Sequence, residues 1–271
     1  MSAWVNGRRR STLDHRDRGL QYGDGLFETM LVRQRRVRLL DYHLERLSEG
    51  CRRLRIAAPE GARLRRELER MACGRSEGIL KLIVTRGSGP RGYRVSGQEH
   101  TTRLATLHAL PRGNAVTAVR VRLCSTPVSV NAHLAGLKTL NRLDSVLARA
   151  EWRNARIWEG LMRDPDGNWV CGTMSNLFVR RGALLATPLL DRCGVAGVMR
   201  RWVLENAAAI GLRVEQRRIQ SEDLISAEEI FMSNAVVGIR SVSAIERTPA
   251  ATVRISCADA AGQLRARLDL L

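Results

Sequence analysis

The residues best suited to covalent chemistry in this chain are its two lysines, Lys81 and Lys138. They are the only lysines among 45 Lys plus Arg, the other 43 being arginine. A sequence that writes Arg wherever a surface cation will do keeps Lys for work a guanidinium cannot perform, above all as an amine that must lose its proton to act as a nucleophile. Lys81 alternates with Leu80 and Leu82 in a strand-like run, which predicts a solvent-facing or edge position. Lys138 sits between an apolar stretch and a helical pattern, with Asn141 and Arg142 close after it, at a junction where element ends present functional groups. Lys138 is therefore the candidate chemical amine.

Two segments have the make-up of anion cradles. Gly194-Val195-Ala196-Gly197-Val198-Met199-Arg200 is a glycine-containing loop feeding a helix, which turns backbone N–H groups towards a phosphate. Ser233-Asn234-Ala235 ends a strand with a hydroxyl and small side chains. A third stretch, Gly87-Ser88-Gly89-Pro90-Arg91-Gly92, matches G-x-G-x-x-G after a strand but opens no helix, so it does not qualify as a dinucleotide loop. Gly136-Leu137-Lys138-Thr139 lacks the glycine immediately before Lys that a P-loop needs.

Around these residues the elements follow from periodicity. Two β-rich runs flank Gln34-Arg35 between Leu26 and Leu40, and Leu44, Leu47, Cys51 and Leu54 recur at helical spacing. Leu64, Leu68 and Met71 mark a second helix, Ile79 to Thr85 a strand, and Arg86 to Tyr93 a Gly- and Pro-rich loop. A strand around Leu104 to Leu110 precedes the candidate linker Pro111-Arg112-Gly113-Asn114, and the second half starts at Ala115 with a strand from Val116 to Leu123. Leu143, Val146, Leu147 and Ala150 then predict an amphipathic helix. Asp164-Pro165-Asp166-Gly167 and Arg181-Gly182 read as hairpin turns. A helix from Val198 carries Val203, Ala207 and Ile210 inward and stops at Gly211, Ser221 caps a short helix, Ile230 to Ser233 is a strand, and the tail from Ala258 is helical.

Composition bounds the rest. A chain of 271 residues with 44% hydrophobic content buries two α/β domains of ordinary size. Six scattered cysteines, with neither a C-x-x-C pair nor His at zinc spacing, predict reduced thiols, no metal site and a cytoplasmic protein. No stretch approaches the roughly 20 apolar residues that span a bilayer, so membrane is not an expected partner. The net charge of +18 is spread over nearly every segment without interleaved aromatics, which reads as a solvated basic surface and not as a nucleic-acid platform. Its useful consequence is that a small anionic molecule is drawn to any cleft.

Taken in order, several blocks resemble the class IV aminotransferase family, the fold type IV pyridoxal-phosphate (PLP) enzymes. They are Arg18-Gly19-Leu20-Gln21-Tyr22-Gly23-Asp24-Gly25-Leu26-Phe27-Glu28-Thr29, His43-Leu44-Glu45-Arg46-Leu47, Lys138-Thr139-Leu140-Asn141-Arg142-Leu143, Gly172-Thr173-Met174-Ser175-Asn176-Leu177-Phe178, Gly197-Val198-Met199-Arg200 and Ser233-Asn234-Ala235. The resemblance implies an α/β (α+β) fold of two domains, 1–112 and 113–271, with the cofactor between them, the lysine in the second, and a homodimer. It makes Lys138 the Schiff-base lysine and Arg46 a ligand of the cofactor phosphate, with Gly197, Val198, Ser233, Asn234 and Ala235 completing the phosphate site. One departure stands out. The residue before the Gly-Thr of Gly-Thr-x-Ser-Asn is usually a glutamate that keeps the pyridine nitrogen protonated, and here it is Cys171, a poorer partner that weakens the ring as an electron sink. Transamination suffers more from that than elimination does.

Within the family, Arg86 to Tyr93 is similar to the loop of the lyases that convert 4-amino-4-deoxychorismate into 4-aminobenzoate and pyruvate in folate biosynthesis. That likeness implies Arg91 and Tyr93 as the substrate-carboxylate residues and Thr29 as a hydrogen-bonding group near the leaving oxygen. The alternative activity is that of a D-amino-acid or branched-chain aminotransferase. A non-enzymatic anion binder would instead purify colourless and bind DNA with steep salt dependence.

Overall fold

The structure is a computed structural model that describes residues 2–10, 12–111, 117–248, 251–255 and 259–270. The expected linker's Arg112 to Asn114, together with Ala115, Val116, Cys257 and Ala258, lie outside the described residues. The chain forms two units, Met1–Arg112 with Leu137–Asn141, and Gly113–Gly136 with Arg142–Leu271. Lys138 thus groups with the first unit, against the expectation that the second domain carries it. The reason is main-chain bonding: Phe27 N–H donates to the Lys138 carbonyl at 3.0 Å, Leu140 N–H donates to that of Gly25 at 3.1 Å, and Leu26 bridges Thr139.

The first unit runs β1 (Ser2–Val5), β2 (Arg8–Arg9), α1 (Arg18–Tyr22), β3 (Gly25–Arg33), β4 (Arg36–Val37), α2 (Leu40–Leu54), α3 (Gly61–Ala72), β5 (Glu77–Thr85) and β6 (Thr102–His108). Its six strands form one antiparallel sheet in the order β2-β1-β6-β5-β3-β4. Side chains alternate across a strand. Leu26, Glu28, Met30 and Val32 of β3 and Leu80, Leu82 and Val84 of β5 are buried, as are Leu47 and Cys51 of α2 and Leu64, Leu68 and Met71 of α3. Each such aliphatic side chain contributes roughly 1.5–3 kcal/mol by leaving water. The opposite face of the sheet, with Phe27, Thr29, Lys81, Ile83 and Thr106, is only half-buried. Lys81 is therefore not at an edge, because β5 lies between β3 and β6.

The second unit contains β7 (Ala118–Leu123), α4 (Leu143–Ala150), β8 (Ile157–Arg163), β9 (Trp169–Gly172), β10 (Asn176–Arg181), β11 (Leu184–Pro188), α5 (Val198–Asn206), β12 (Arg213–Arg217), α6 (Ser221–Ile225), β13 (Glu229–Asn234), β14 (Gly238–Thr248), β15 (Ala251–Arg254) and α7 (Ala260–Leu268). Strands β10, β13, β14, β7, β8 and β9 pair in succession, and β9 pairs back to β10 through Cys171 and Asn176, which closes a ring. Val121, Leu161, Leu177, Ile230, Met232 and Val242 belong to its core cluster.

Two local expectations are corrected. The cap of α6 is Gln220 and not Ser221, because Gln220 and Asp223 form a reciprocal capping box. The apolar spacing of α4 does give a helix, but Leu143, Val146 and Leu147 are exposed and the buried contact is made by Ala148.

Candidate active site

Lys138 is half-buried, and its Nζ lies 4.1 Å from the centroid of the Phe27 ring, a cation–π distance. The backbone bonds from β3 fix the segment, so Phe27 both anchors the main chain of Lys138 and faces its amine. Lys81 Nζ lies 5.6 Å from the same centroid. Thr29 is paired with Lys81, and Lys81 with Thr106, across β3, β5 and β6, so both hydroxyl residues flank the second amine on the face opposite Glu28.

Arg46 belongs to α2 and is held by a carboxylate the sequence did not reveal. Its Nε donates to Glu28 Oε1 at 2.8 Å and its Nη2 donates to Glu28 Oε2, while His43 Nδ1 donates to that same Oε2 at 2.5 Å. Glu28 and His43 are 2% and 1% exposed. Burial pushes the Glu28 carboxyl up, but the Arg46 charge and the His43 N–H outweigh it and leave the group at about 2. Burial also lowers His43, against the pull of Glu28, so the imidazole is neutral; its Nε2 is buried with no hydrogen-bond partner among the described residues. A Glu alternating in a strand looks like a surface residue. Only the Glu28-to-His43 and Glu28-to-Arg46 contacts made by α2 across the sheet show otherwise.

Arg91 and Tyr93 are exposed, but the loop that carries them is tied down. Buried Arg18 donates from Nη1 to the Gly92 carbonyl at 2.9 Å, from Nη2 to the Tyr93 carbonyl at 3.2 Å and from Nε to Asp24 at 2.9 Å. Gly92 N–H donates to the Tyr22 hydroxyl at 2.9 Å, and the Tyr22 and Tyr93 rings meet edge to face at 5.4 Å. Arg86 donates to Asp24 as well. Burial raises the Asp24 carboxyl, and the bonded Arg86 and Arg18 guanidiniums outweigh that and hold it below its ordinary value.

In the second unit the motif Gly172 to Asn176 meets the loop before α5. Asn176 Nδ2 donates to the Val195 carbonyl at 2.8 Å, and a Cβ at Gly197 would sit 2.1 Å from Asn176 Oδ1, so only glycine fits. Gly197 is the N-cap of α5, which has no side-chain cap and no acidic residue in its first turn, and Val198 opens the helix. Ser233 is the cross-strand partner of Asn176; its Oγ is fully buried and has no partner among the described residues. Asn234 accepts from the N–H groups of Val236 and Val237 at 2.9 Å each, with Ala235 inside that turn. In the second unit, the orphaned Ser233 hydroxyl and the uncapped start of α5 fit a phosphate, and in the first, the half-buried Lys138 amine fits an aldehyde.

Cys171 stands on β9, opposite Met162 and Asn176. Burial, reinforced by Cys193 and Glu159, drives its thiol above the ordinary range, so it stays protonated. The buried acid beside it is Glu159, another residue the sequence did not flag. Its carboxylate accepts from Gly160 N–H, Thr173 N–H, Thr173 Oγ1, Met174 N–H and Ser175 Oγ, at 2.6–3.2 Å. Glu159 shapes the turn, with a Cβ at Gly172 only 2.7 Å from its Oε2.

Residues 25–245 match the model of the amino-transferase class IV family, so the chain belongs to that family. An aminodeoxychorismate lyase of Vibrio harveyi is 32% identical over 245 residues, 89% of this chain and 90% of that protein. The crystal structure of 4-amino-4-deoxychorismate lyase from Pseudomonas aeruginosa superposes with a TM-score of 0.91 at 42% identity, covering 98% of this chain and 97% of that one. A putative branched-chain-amino-acid aminotransferase of Methanocaldococcus jannaschii is 29% identical over 260 residues, 91% of this chain and 88% of that protein.

Proposed function

We propose that this protein is a PLP-dependent carbon–oxygen lyase that converts 4-amino-4-deoxychorismate into 4-aminobenzoate and pyruvate. The observation that carries the reading is the Lys138 amine, held over Phe27 on the open face of a sheet that also presents Thr29. The likeness to two lyases, over nearly the whole chain, selects the reaction. Lys138 would hold the cofactor's aldehyde carbon, and Arg46, Gly197, Val198, Ser233, Asn234 and Ala235 would hold its phosphate. The cofactor, when bound, supplies a carbonyl that captures the substrate amine and draws electrons from the carbon bearing it.

Lys138 Nζ takes the ring proton beside that amine. The ring carbon–oxygen bond breaks with its electron pair leaving on the enolpyruvyl oxygen, to which Thr29 offers a hydrogen bond. A proton returned to enolpyruvate gives pyruvate, and the ring becomes aromatic with no net oxidation or reduction. Arg91 takes a substrate carboxylate as a bidentate fork, with Tyr93 beside it. Protonated Cys171 would offer the cofactor's pyridine nitrogen a neutral partner, which would favour elimination over transamination.

Supplying 4-amino-4-deoxychorismate to the holoenzyme yields 4-aminobenzoate and pyruvate in equal amounts. Conversion of an amino acid with a 2-oxo acid, without 4-aminobenzoate, would make the protein an aminotransferase. The five described cysteines are all free thiols, which supports work in a reducing cytoplasm. The exposed apolar face of α4, with Leu143, Val146 and Leu147 at 76%, 60% and 61% exposure, supports a homodimer that covers it.

A further inference from the structure

The loop that carries Arg91 and Tyr93 has almost no structure of its own. From residue 86 to residue 101 the chain makes one isolated bridge, Ser88 to Asp17, and Tyr93 is 86% exposed. Loops beyond about 12–15 residues without internal structure are ordinarily functional or disordered. What holds this one is a single buried residue outside it. The Arg18 main-chain N–H donates to the Gly87 carbonyl at 2.9 Å, and its guanidinium donates to the carbonyls of Gly92 and Tyr93, so Arg18 grips the loop on both sides of Arg91. Two successive carbonyls converge on one guanidinium only where the peptide turns, and Gly92 makes that turn at φ +97°. The remaining nitrogen, Nε, donates to Asp24. Asp24 also takes Arg86, which donates in turn to the Leu54 and Arg55 carbonyls at the end of α2. The grip is therefore anchored in the body of the unit. A planar fork meets three acceptors in fixed directions at once, which a lysine ammonium on a flexible stem does not.

We infer that Arg18 is a positioning residue for the reaction, acting through the Gly92 and Tyr93 carbonyls to fix where Arg91 meets the substrate. Bidentate recognition of a carboxylate depends on direction, and a displacement on the order of 1 Å is enough to forfeit much of it. A loop already held in its turn also spares the substrate the entropy of ordering it. The effect falls on affinity and not on chemistry, because Arg18 is bonded to the loop and to Asp24 and to neither Lys138 nor Arg46. The inference rests on the lyase reading for the anion that Arg91 meets, and not for the grip itself.

The test compares the wild-type holoenzyme with R18M, R18K and G92A. R18M removes every guanidinium bond, and R18K keeps a charge for Asp24 without the fork. G92A leaves Arg18 intact and puts a methyl where nothing lies within 4 Å, but at a φ that alanine resists. R18M raises KM for 4-amino-4-deoxychorismate about tenfold or more, with kcat within about threefold and cofactor absorbance per protein unchanged. Trypsin, with its cuts mapped by mass spectrometry, cleaves after Arg91 and Arg94 about tenfold faster or more in R18M, because cleavage tracks opening of the loop. R18K stays about fivefold or more above wild type in KM, and G92A does the same with Tm within about 2 °C. KM within about twofold of wild type in both R18M and G92A overturns the inference, and so does full recovery in R18K, which would assign the effect to charge alone. Where R18M fails to fold, G92A decides. A wild-type holoenzyme that makes no 4-aminobenzoate sinks the lyase reading instead, and the trypsin comparison still decides the grip.

Discussion

Each unit buries a carboxylate beside its candidate site residues, and the two are satisfied in opposite ways. Glu28 in the first unit is balanced by charge, with Arg46 on both oxygens and His43 on one. Glu159 in the second is solvated by dipoles, three backbone N–H groups and two hydroxyls, with no cation bonded to it among the described residues. A carboxylate that neutralises an arginine fixes where that guanidinium points and couples its site to pH. A carboxylate that gathers N–H groups dictates backbone shape. The acid of the first unit therefore fixes a guanidinium, and that of the second holds a turn in place.

Removing the dipole-solvated acid is expected to do the most damage. Glu159→Leu strands five donors, those of Gly160 and Ser175 in buried bonds, and costs about 4 kcal/mol, a fall of roughly 10 °C in Tm. A fall of only a degree or two would show that the turn after Cys171 does not depend on this acid.

Glu28→Gln is next, with a different signature. It leaves Arg46 without its counter-charge and costs about 3 kcal/mol at neutral pH by the depression from 4.5 to about 2. Because a neutral amide no longer orients Arg46, cofactor affinity measured by absorbance titration falls about tenfold. If Glu159→Gln weakens the cofactor as much, the division of labour between the two acids fails.

The same carboxyl gives a pH prediction. Folded Glu28 binds a proton less tightly than the unfolded chain does, so its stabilisation is full above about pH 4.5 and is lost as pH falls towards 2. Chemical denaturation of wild type and Glu28→Gln should differ by about 3 kcal/mol at pH 7 and converge on acidification. A constant gap across that range would contradict the coupling.

The smallest effect belongs to Cys171. Cys171→Ser conserves size in a position whose thiol is already un-ionised, so stability changes by less than about 1 kcal/mol and the lyase rate by less than about threefold. A large loss of rate would mean that the sulfur itself serves the reaction.

The contrast between the acids also marks what the sequence could show. Leu64, Leu68 and Met71 reveal α3 because a local 3.6-residue period is written in the chain, and Lys138 stands out because lysine is so rare here. Glu28 and Glu159 are invisible at that level, since their donors come from α2 in one case and, apart from Gly160 N–H, from the turn after β9 in the other. Lys81 reads as a surface residue until the order β3, β5, β6 makes its strand central. In α4 the period is right and the direction is not. Spacing defines an apolar stripe, whereas the side that faces the core is set by the contacts of Ala148.

The scarcity of lysine allows a direct test of the central assignment. Borohydride reduction of the holoenzyme followed by peptide mass spectrometry should place the reduced cofactor on the peptide containing Lys138 and leave the Lys81 peptide unmodified. Label on Lys81, or on neither lysine, would contradict the account.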